Sequence, residues 1–119
     1  MSNRASIEQW VEGLNSANID AMMALYAEDA SLHIVFAEAV ESRAAIREMF
    51  AGYFAAAKMH CIAERLHEAD AHVVLEWRDP IGLRGCNIFE FADGKIVRQR
   101  NYFDQLTFLR KQGLPIPPE

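Results

Sequence analysis

Apolar residues in the first half of the chain recur at the spacing of an α-helix. Positions i, i+3, i+4 and i+7 are apolar over about residues 7–16, behind a capping box formed by Ser6 and Gln9. The capping residues Asn18 and Ser42 predict the starts of a second and a third helix. The three apolar stripes are Ile7, Trp10, Val11 and Leu14; Ile19, Met22, Met23 and Tyr26; and Ile46, Met49, Phe50, Tyr53 and Phe54.

Strand patterns rich in branched apolar residues dominate the second half of the chain. One short strand is predicted between the second and third helices, at residues 31–36. Four more are predicted at residues 59–68, 72–79, 84–91 and 95–104. Asp93-Gly94 closes the last two strands into a hairpin, because this dipeptide readily adopts the positive φ angles of a two-residue turn. A short helix over residues 105–112, capped by Asp104, is predicted to follow.

This order of elements predicts an α+β fold. Two helices, a strand and a third helix come before a four-stranded antiparallel meander, so the helices cover one face of a curved antiparallel sheet. Such a sheet, wrapped around a long helix, leaves a concave apolar mouth that suits a small ligand. A length of 119 residues indicates a single domain over residues 1–119.

Composition and charge narrow the classes of partner. Lys and Arg number 12 against 17 Asp and Glu, a net charge of −5, so we expect neither nucleic acid nor a membrane surface as a partner. No apolar run approaches the ~20 residues of a membrane span, and residues 1–10 lack the apolar stretch of a signal peptide, so we expect a cytoplasmic protein. The histidines lack metal-ligand spacing and no glycine-rich phosphate loop is present, so no metal or other cofactor is expected. Cys61 and Cys86 are expected to be buried, reduced thiols.

Three segments carry a resemblance to a known family. NIDAMMALYAEDASL (18–32), VVLEW (73–77) and NIFEFADGKIVRQRNYFD (87–104) resemble the SnoaL-like branch of the nuclear transport factor 2-like superfamily, over about residues 7–109. The end of the third segment is most similar to limonene epoxide hydrolases. The resemblance implies a cone-shaped, cystatin-like α+β barrel with an apolar pocket, commonly dimeric through the outer face of its sheet. Members include polyketide cyclases, ketosteroid isomerases, epoxide hydrolases and non-catalytic binding modules, so the fold transfers better than the function.

Strand alternation indicates which residues face the implied pocket. On the last hairpin, Asn87 and Phe89 share the inward face, and Asn101 lies on the pocket side together with Gln99 and Phe103. The resulting wall is apolar with a few amides, which suits a hydrophobic ligand that carries one or two oxygens. The predicted ligand-binding residues are Trp10, Leu32, Ile34, Met49, Tyr53, Phe54, Phe89 and Phe103.

The chemistry of the ketosteroid isomerases requires a carboxylate base and an oxyanion hole made of a Tyr and a protonated Asp. The resemblance places the Tyr at Trp10, the base at Ile34 and the Asp at Asn87, so all three residues are changed. Ile34 cannot carry a proton, and we therefore expect no isomerisation by that route. Asn87 can still donate a hydrogen bond to a developing oxyanion.

The epoxide hydrolases of this family use two aspartates bridged by an arginine, with a Tyr and an Asn that hold the water. Arg78 matches the arginine, and Asp79 matches the first aspartate only if a bulge turns it inward, since Pro80 matches without gaps. The second aspartate falls at Asn101, which cannot act as a general base. Only Arg78 and Asp79 therefore remain from the hydrolytic set.

A polyketide cyclase of this family needs one well-placed carboxylate for its aldol closure. The candidates are Asp79, Glu76 and Asp104, with Asp79 first and Glu76 second. Glu76 shares strand parity with Arg78, so the two could pair inside the barrel. The alternative for Asp79 is to cap its own Asp-Pro-Ile-Gly turn. The alternative for Glu76 and Arg78 is an exposed cross-strand pair or a dimer contact.

Together the residues and the resemblance indicate a cofactor-independent acid–base enzyme of the isomerase, cyclase or epoxide hydrolase type, acting on a hydrophobic cyclic or polyketide-like compound. The alternative is a non-catalytic hydrophobic-ligand-binding or dimeric interaction module of the same fold. The partners expected are a small hydrophobic molecule and a second copy of the chain in a homodimer. The predicted catalytic residues are Asp79, Arg78, Asn101, Asn87 and Glu76.

Overall fold

A computed structural model of the chain describes residues 1–118 as four helices and six strands. The helices are α1 (Asn3–Asn15), α2 (Ile19–Met23), α3 (Arg43–Ala56) and α4 (Gln105–Gln112). The strands are β1 (Tyr26–Ile34), β2 (Val40–Glu41), β3 (Ile62–Ala69), β4 (His72–Arg78), β5 (Arg84–Ala92) and β6 (Lys95–Phe103). No helix among residues 1–118 is long and apolar enough to cross a membrane.

The strands form one curved sheet in the order β2-β1-β6-β5-β4-β3. The strands β3 to β6 are the predicted antiparallel meander, and their ends lie within three residues of those predicted. β1 joins this meander by parallel pairing with β6, and β2 covers the outer edge of β1. The α+β prediction is confirmed, although the sheet stays open between β2 and β3 and does not close into a barrel.

A side-chain cap marks the start of each of the four helices in residues 1–118. The predicted caps Asn18, Ser42 and Asp104 are confirmed, because each side chain accepts a backbone N–H of the first turn that follows it. The cap predicted at Ser6 is wrong: α1 begins four residues earlier, where the Ser2 hydroxyl accepts a backbone N–H at 3.0 Å. The first turn of α1 contains no large apolar residue and adds little to the apolar stripe, so the sequence periodicity does not reveal it.

The junction between α2 and β1 differs from the predicted one. Tyr26 was expected on the apolar stripe of the second helix, but α2 ends at Met23 and Tyr26 is the first residue of β1. The reason is non-local, since Tyr26 pairs with Ile96 of β6, whose backbone N–H also donates to Leu25 at 2.8 Å. The helical spacing of Tyr26 is overridden by this parallel pairing.

The Asp93-Gly94 hairpin is confirmed by its backbone angles. The φ angles are +51° at Asp93 and +76° at Gly94, as a two-residue turn that matches strand twist requires. The hairpin fixes the register of β5 against β6, in which Asn87 lies opposite Asn101. That register places the two amide side chains on one face of the sheet.

The core lies between the concave face of the sheet and the helices α1, α2 and α3. Its fully buried side chains are Tyr26, Phe89, Ile7, Met22, Leu32, Ile46, Leu75, Ile96, Val73 and Gln99. Gln99 is the only amide in this group. A fully buried amide has to be hydrogen-bonded, so its partners identify a polar path through the core.

Candidate functional site

A line of hydrogen bonds runs from Trp10 through the core to Asn101. The Trp10 indole Nε1 donates to the Tyr26 hydroxyl at 2.8 Å, and that hydroxyl donates to Gln99 Oε1. Gln99 Nε2 then donates to Asn101 Oδ1 at 2.9 Å. We call these four residues, on α1, β1 and β6, the donor relay.

The direction of the donor relay follows from its inner end. An indole N–H only donates, so Trp10 cannot accept the proton of the Tyr26 hydroxyl, and that proton has to go to Gln99. Reversing the amide of Gln99 would leave this buried proton without an acceptor, at a cost of about 1–3 kcal/mol. Burial also raises the pKa of Tyr26, which keeps the hydroxyl protonated.

Asn87 lies beside the outer end of the donor relay, and its amide group is oriented in the same way as that of Asn101. It lies opposite Asn101 in the β5–β6 ladder, where facing Cβ atoms are about 4.5–5.5 Å apart. Its Oδ1 accepts from the Trp77 indole Nε1 at 3.0 Å. Both side-chain oxygens are therefore taken by donors, and the NH₂ groups are what Asn87 and Asn101 can offer a ligand. We call these two residues the amide pair.

A cluster of aromatic rings lies next to the amide pair on this face. The ring centroid of Phe103 lies 5.9 Å from that of Trp77, 5.2 Å from that of Phe36 and 5.4 Å from that of Phe108 on α4. Phe36 is 40% exposed, and the other three rings are half-buried. These four residues, the aromatic mouth, give apolar surface next to the amide pair, because Trp77 is bonded to one amide and Phe103 lies two residues beyond the other.

The residues predicted to form the ligand wall divide into three groups. Ile34 pairs with Asn101 across the β1–β6 ladder, and Phe103 belongs to the aromatic mouth, so both adjoin the amide pair. Trp10, Leu32 and Phe89 are instead buried in the packed core. Their inward direction agrees with the predicted strand parity, but packing closes the space in front of them.

The third group, Met49, Tyr53 and Phe54, lies on α3. Met49 and Phe54 are partly buried against the core, and the ring centroid of Phe54 stacks 6.0 Å from that of Phe50. Tyr53 is 39% exposed, and partial burial raises the pKa of its hydroxyl. These three residues border the core from the helix side.

Glu76 and Arg78 lie on the outer face of the sheet, and the idea that they pair inside a pocket is wrong. On β4 they alternate with Leu75 and Trp77, which point to the core side. The carboxylate of Glu76 lies 2.5 Å from the His67 ring nitrogen, and this hydrogen bond lowers the pKa of Glu76. Because strand parity is fixed by the buried Leu75, neither side chain can reach the concave face.

Asp79 occupies the alternative position considered for it, at the start of its turn. Its Oδ1 accepts from the backbone N–H of Ile81 at 3.0 Å and from that of Leu83 at 2.9 Å. A carboxylate oxygen engaged in this way stabilises the turn between β4 and β5. Among residues 1–118 the buried polar side chains are Ser6, Asn87 and Gln99, all of them neutral.

Two concavities lie on the surface, and neither is lined by the amide pair or the aromatic mouth. A groove of about 610 Å³ runs between α2 and α3, where Arg43 lies 3.9 Å from Glu28 and Arg47 lies 2.5 Å from Asp20. A depression of about 420 Å³ on the outer face is lined by charged residues of β3, β4 and β5.

Within the described chain, no group of three or more His, Cys, Asp and Glu side chains is placed so that it could hold a metal ion. Both cysteines are free; Cys61 is buried, but Cys86 is only half-buried, contrary to expectation.

Sequence reasoning did not assign a site role to Tyr26, Gln99 or Trp77. The shared parity of Gln99 and Asn101 on one strand was the available signal for Gln99. Tyr26 and Trp77 are recognised only from their hydrogen-bond partners, which lie 73 residues and 10 residues away along the chain.

Comparisons with known proteins agree with this architecture. The sequence model of the SnoaL-like domain matches residues 7–99, and no curated protein sequence shows a significant match. A protein of ketosteroid isomerase-like fold from Catenulispora acidiphila, solved with trimethylamine, is 17% identical with a TM-score of 0.81 and covers 95% of this chain and 97% of its own. An NTF2-like protein of unknown function from Cytophaga hutchinsonii is 14% identical with a TM-score of 0.78, covering 92% and 96%.

An LEH-like epoxide hydrolase from M. tuberculosis is 19% identical with a TM-score of 0.76, and the match covers 92% of this chain and 86% of that one. At these identities the structural neighbours establish the fold and leave the activity open. The family match covers most of the chain, including β5 with Asn87 and β6 as far as Gln99. The chain therefore belongs to the SnoaL-like domain family and has the NTF2-like fold of that family.

Proposed function

We propose that this SnoaL-like domain binds a hydrophobic small molecule at the concave face of its sheet. The observation that carries the proposal is the amide pair beside the aromatic mouth. Both side-chain oxygens of Asn87 and Asn101 already accept hydrogen bonds, so their NH₂ groups are the polar atoms left for a ligand oxygen. Apolar surface with a few fixed polar groups is the usual composition of a small-molecule site.

Binding is better supported than acid–base catalysis. A cyclase or hydrolase of the family type needs a carboxylate within hydrogen-bond reach of the proton that it moves. Asp79 is engaged in its turn and Glu76 lies on the outer face, while Asn101 stands where the resemblance places an acid. An amide can orient and polarise a carbonyl group, but it cannot accept a proton as a base.

The proposal can be tested by NMR titration of the ¹⁵N-labelled protein with three cyclic ketones of increasing size: camphor, 2-decalone and progesterone. We expect at least one ketone to shift the side-chain NH₂ signals of Asn87 and Asn101. Asn87→Leu and Asn101→Leu keep similar volume and remove the donors, so each should raise Kd about tenfold, the effect of one neutral hydrogen bond. Glu76→Gln on the outer face is the matched control and should leave Kd unchanged.

Two results would overturn the proposal. The first is that none of the three ketones binds, or that one binds equally well to both leucine variants. The second is steady turnover of a bound compound that disappears in Asp79→Asn. That substitution retains the oxygen that accepts from the turn and removes only the charge, so its effect would identify Asp79 as a catalytic acid or base.

A further inference from the structure

We propose that the donor relay makes this site specific for ligand oxygens that only accept hydrogen bonds, such as those of ketones and quinones, over hydroxyl groups. In this proposal Tyr26 and Gln99 are positioning residues that hold the NH₂ group of Asn101 toward the ligand. The inference rests on the proposed function, because it names the class of ligand that the amide pair would take.

The donor relay holds Asn101 in one orientation. The relay begins at a donor-only indole, passes through the single proton of Tyr26 and reaches the amide of Gln99. Tyr26 and Gln99 are both fully buried, so water cannot substitute for a missing partner. With Gln99 fixed, its Nε2 requires the oxygen of Asn101, and the NH₂ group of Asn101 is directed away from the relay.

A separate donor orients Asn87. The Trp77 indole requires the oxygen of Asn87 in the same way, and the Trp77 ring is itself packed edge-on against Phe103. Two independent indole donors therefore orient both amides alike: each oxygen accepts from the protein, and each NH₂ group is left for a ligand. The amide pair therefore presents its N–H donors, and each side-chain oxygen already uses one of its two lone pairs within the protein.

A ligand hydroxyl fits the amide pair less well than a carbonyl oxygen does. Such a group can accept from the amide pair, but its own proton then needs an acceptor. Beside Asn101 lie the apolar side chains of Ile34 and Phe103, and the nearby side-chain oxygens of Asn87 and Gln99 each already accept a hydrogen bond. The hydroxyl proton therefore has to compete for an oxygen that is already engaged, which is unfavourable, whereas a carbonyl oxygen has no such proton.

The experiment compares matched ketone and alcohol pairs, camphor with borneol and 2-decalone with 2-decalol, by calorimetric titration at 15 °C. We expect the ketone to bind the native protein about tenfold more tightly than its alcohol. Tyr26→Phe and Gln99→Met interrupt the relay at two different points, so Asn101 can turn its oxygen outward. The ratio of ketone affinity to alcohol affinity should then fall toward one in both variants. Tyr102→Phe, on the outer face of β6, is the matched control and should keep the tenfold ratio.

The outcomes separate this inference from the proposed function. If neither ketones nor alcohols bind, the proposed function fails. If both bind with equal affinity to the native protein, or if the tenfold ratio survives in both relay variants, the proposed function stands and the relay inference is overturned. A ligand-free readout tests the relay directly: the side-chain NH₂ signals of Asn101 should be a single set in the native protein and should broaden or double in Gln99→Met. A single unchanged set in that variant would refute the orienting role.

Discussion

Tyr26→Phe removes one oxygen atom from the core and leaves the ring in place, so its effect isolates the hydrogen bonds of the donor relay. The Trp10 N–H and the Gln99 oxygen both lose their partner, and both residues are buried. Each orphaned group costs about 1–3 kcal/mol, and relief of the buried hydroxyl offsets part of this. We therefore expect the free energy of unfolding to fall by about 2–4 kcal/mol.

The assay is calorimetric and urea-induced unfolding of Tyr26→Phe beside the native protein. With an unfolding entropy of about 2.1 cal/mol/K per residue, the expected loss lowers Tm by roughly 8–16 °C. Tyr102→Phe removes the same atom from a side chain that is 40% exposed and should change stability by less than about 0.5 kcal/mol.

A double variant distinguishes the relay from simple loss of packing. Gln99→Met removes the amide that Tyr26→Phe would orphan, so the combined variant should be at least about 1 kcal/mol more stable than the sum of the single effects indicates. The reasoning is refuted if Tyr26→Phe costs less than about 1 kcal/mol, or if the two substitutions are strictly additive.

Two more predictions follow from local packing and burial. A Cβ at Gly85 would lie 2.6 Å from both a Trp77 ring carbon and a backbone oxygen, so Gly85→Ala should lower the unfolding free energy by more than about 1 kcal/mol. Gly52 lies in open space on α3, so Gly52→Ala should raise the unfolding free energy by about 0.5–1 kcal/mol. Changes of the same sign in thermal unfolding of the two variants would contradict this reasoning. Burial raises the pKa of the Cys61 thiol to about 12, so iodoacetamide at pH 8 should modify Cys86 before Cys61 in the folded protein. Mass spectrometry that shows faster modification of Cys61 would contradict this prediction. Because the folded pKa of Cys61 exceeds the unfolded one, its contribution to stability is full below about pH 9 and is lost as the pH rises toward 12.

The features that were predicted correctly depend on neighbouring residues. A capping side chain at Asn18 or Ser42 meets a backbone N–H three residues away, and Asp93-Gly94 adopts its turn angles without help from the rest of the chain. Strand alternation likewise fixed the inward direction of Asn87 and Phe89, which the structure confirms by their burial. Such short-range preferences can be predicted from the local sequence.

The features that were missed depend on partners far away in the chain. Tyr26 has helical spacing after Asn18, but parallel pairing with β6 draws it into a strand. The outward direction of Glu76 depends on the register of β4, and a slip of one residue would have reversed it.

The amino-acid order thus specified the helices, the meander and an apolar face with asparagines along it, because these follow from local periodicity and turn geometry. The direction of the hydrogen bonds on that face came only from the assembled fold. The Trp10 indole, the Tyr26 hydroxyl and the Gln99 amide lie on three separate elements and meet across gaps of 16 and 73 residues. Packing alone brings such groups within bonding distance, and the donor-only indole then decides which atoms of the asparagines remain for a ligand.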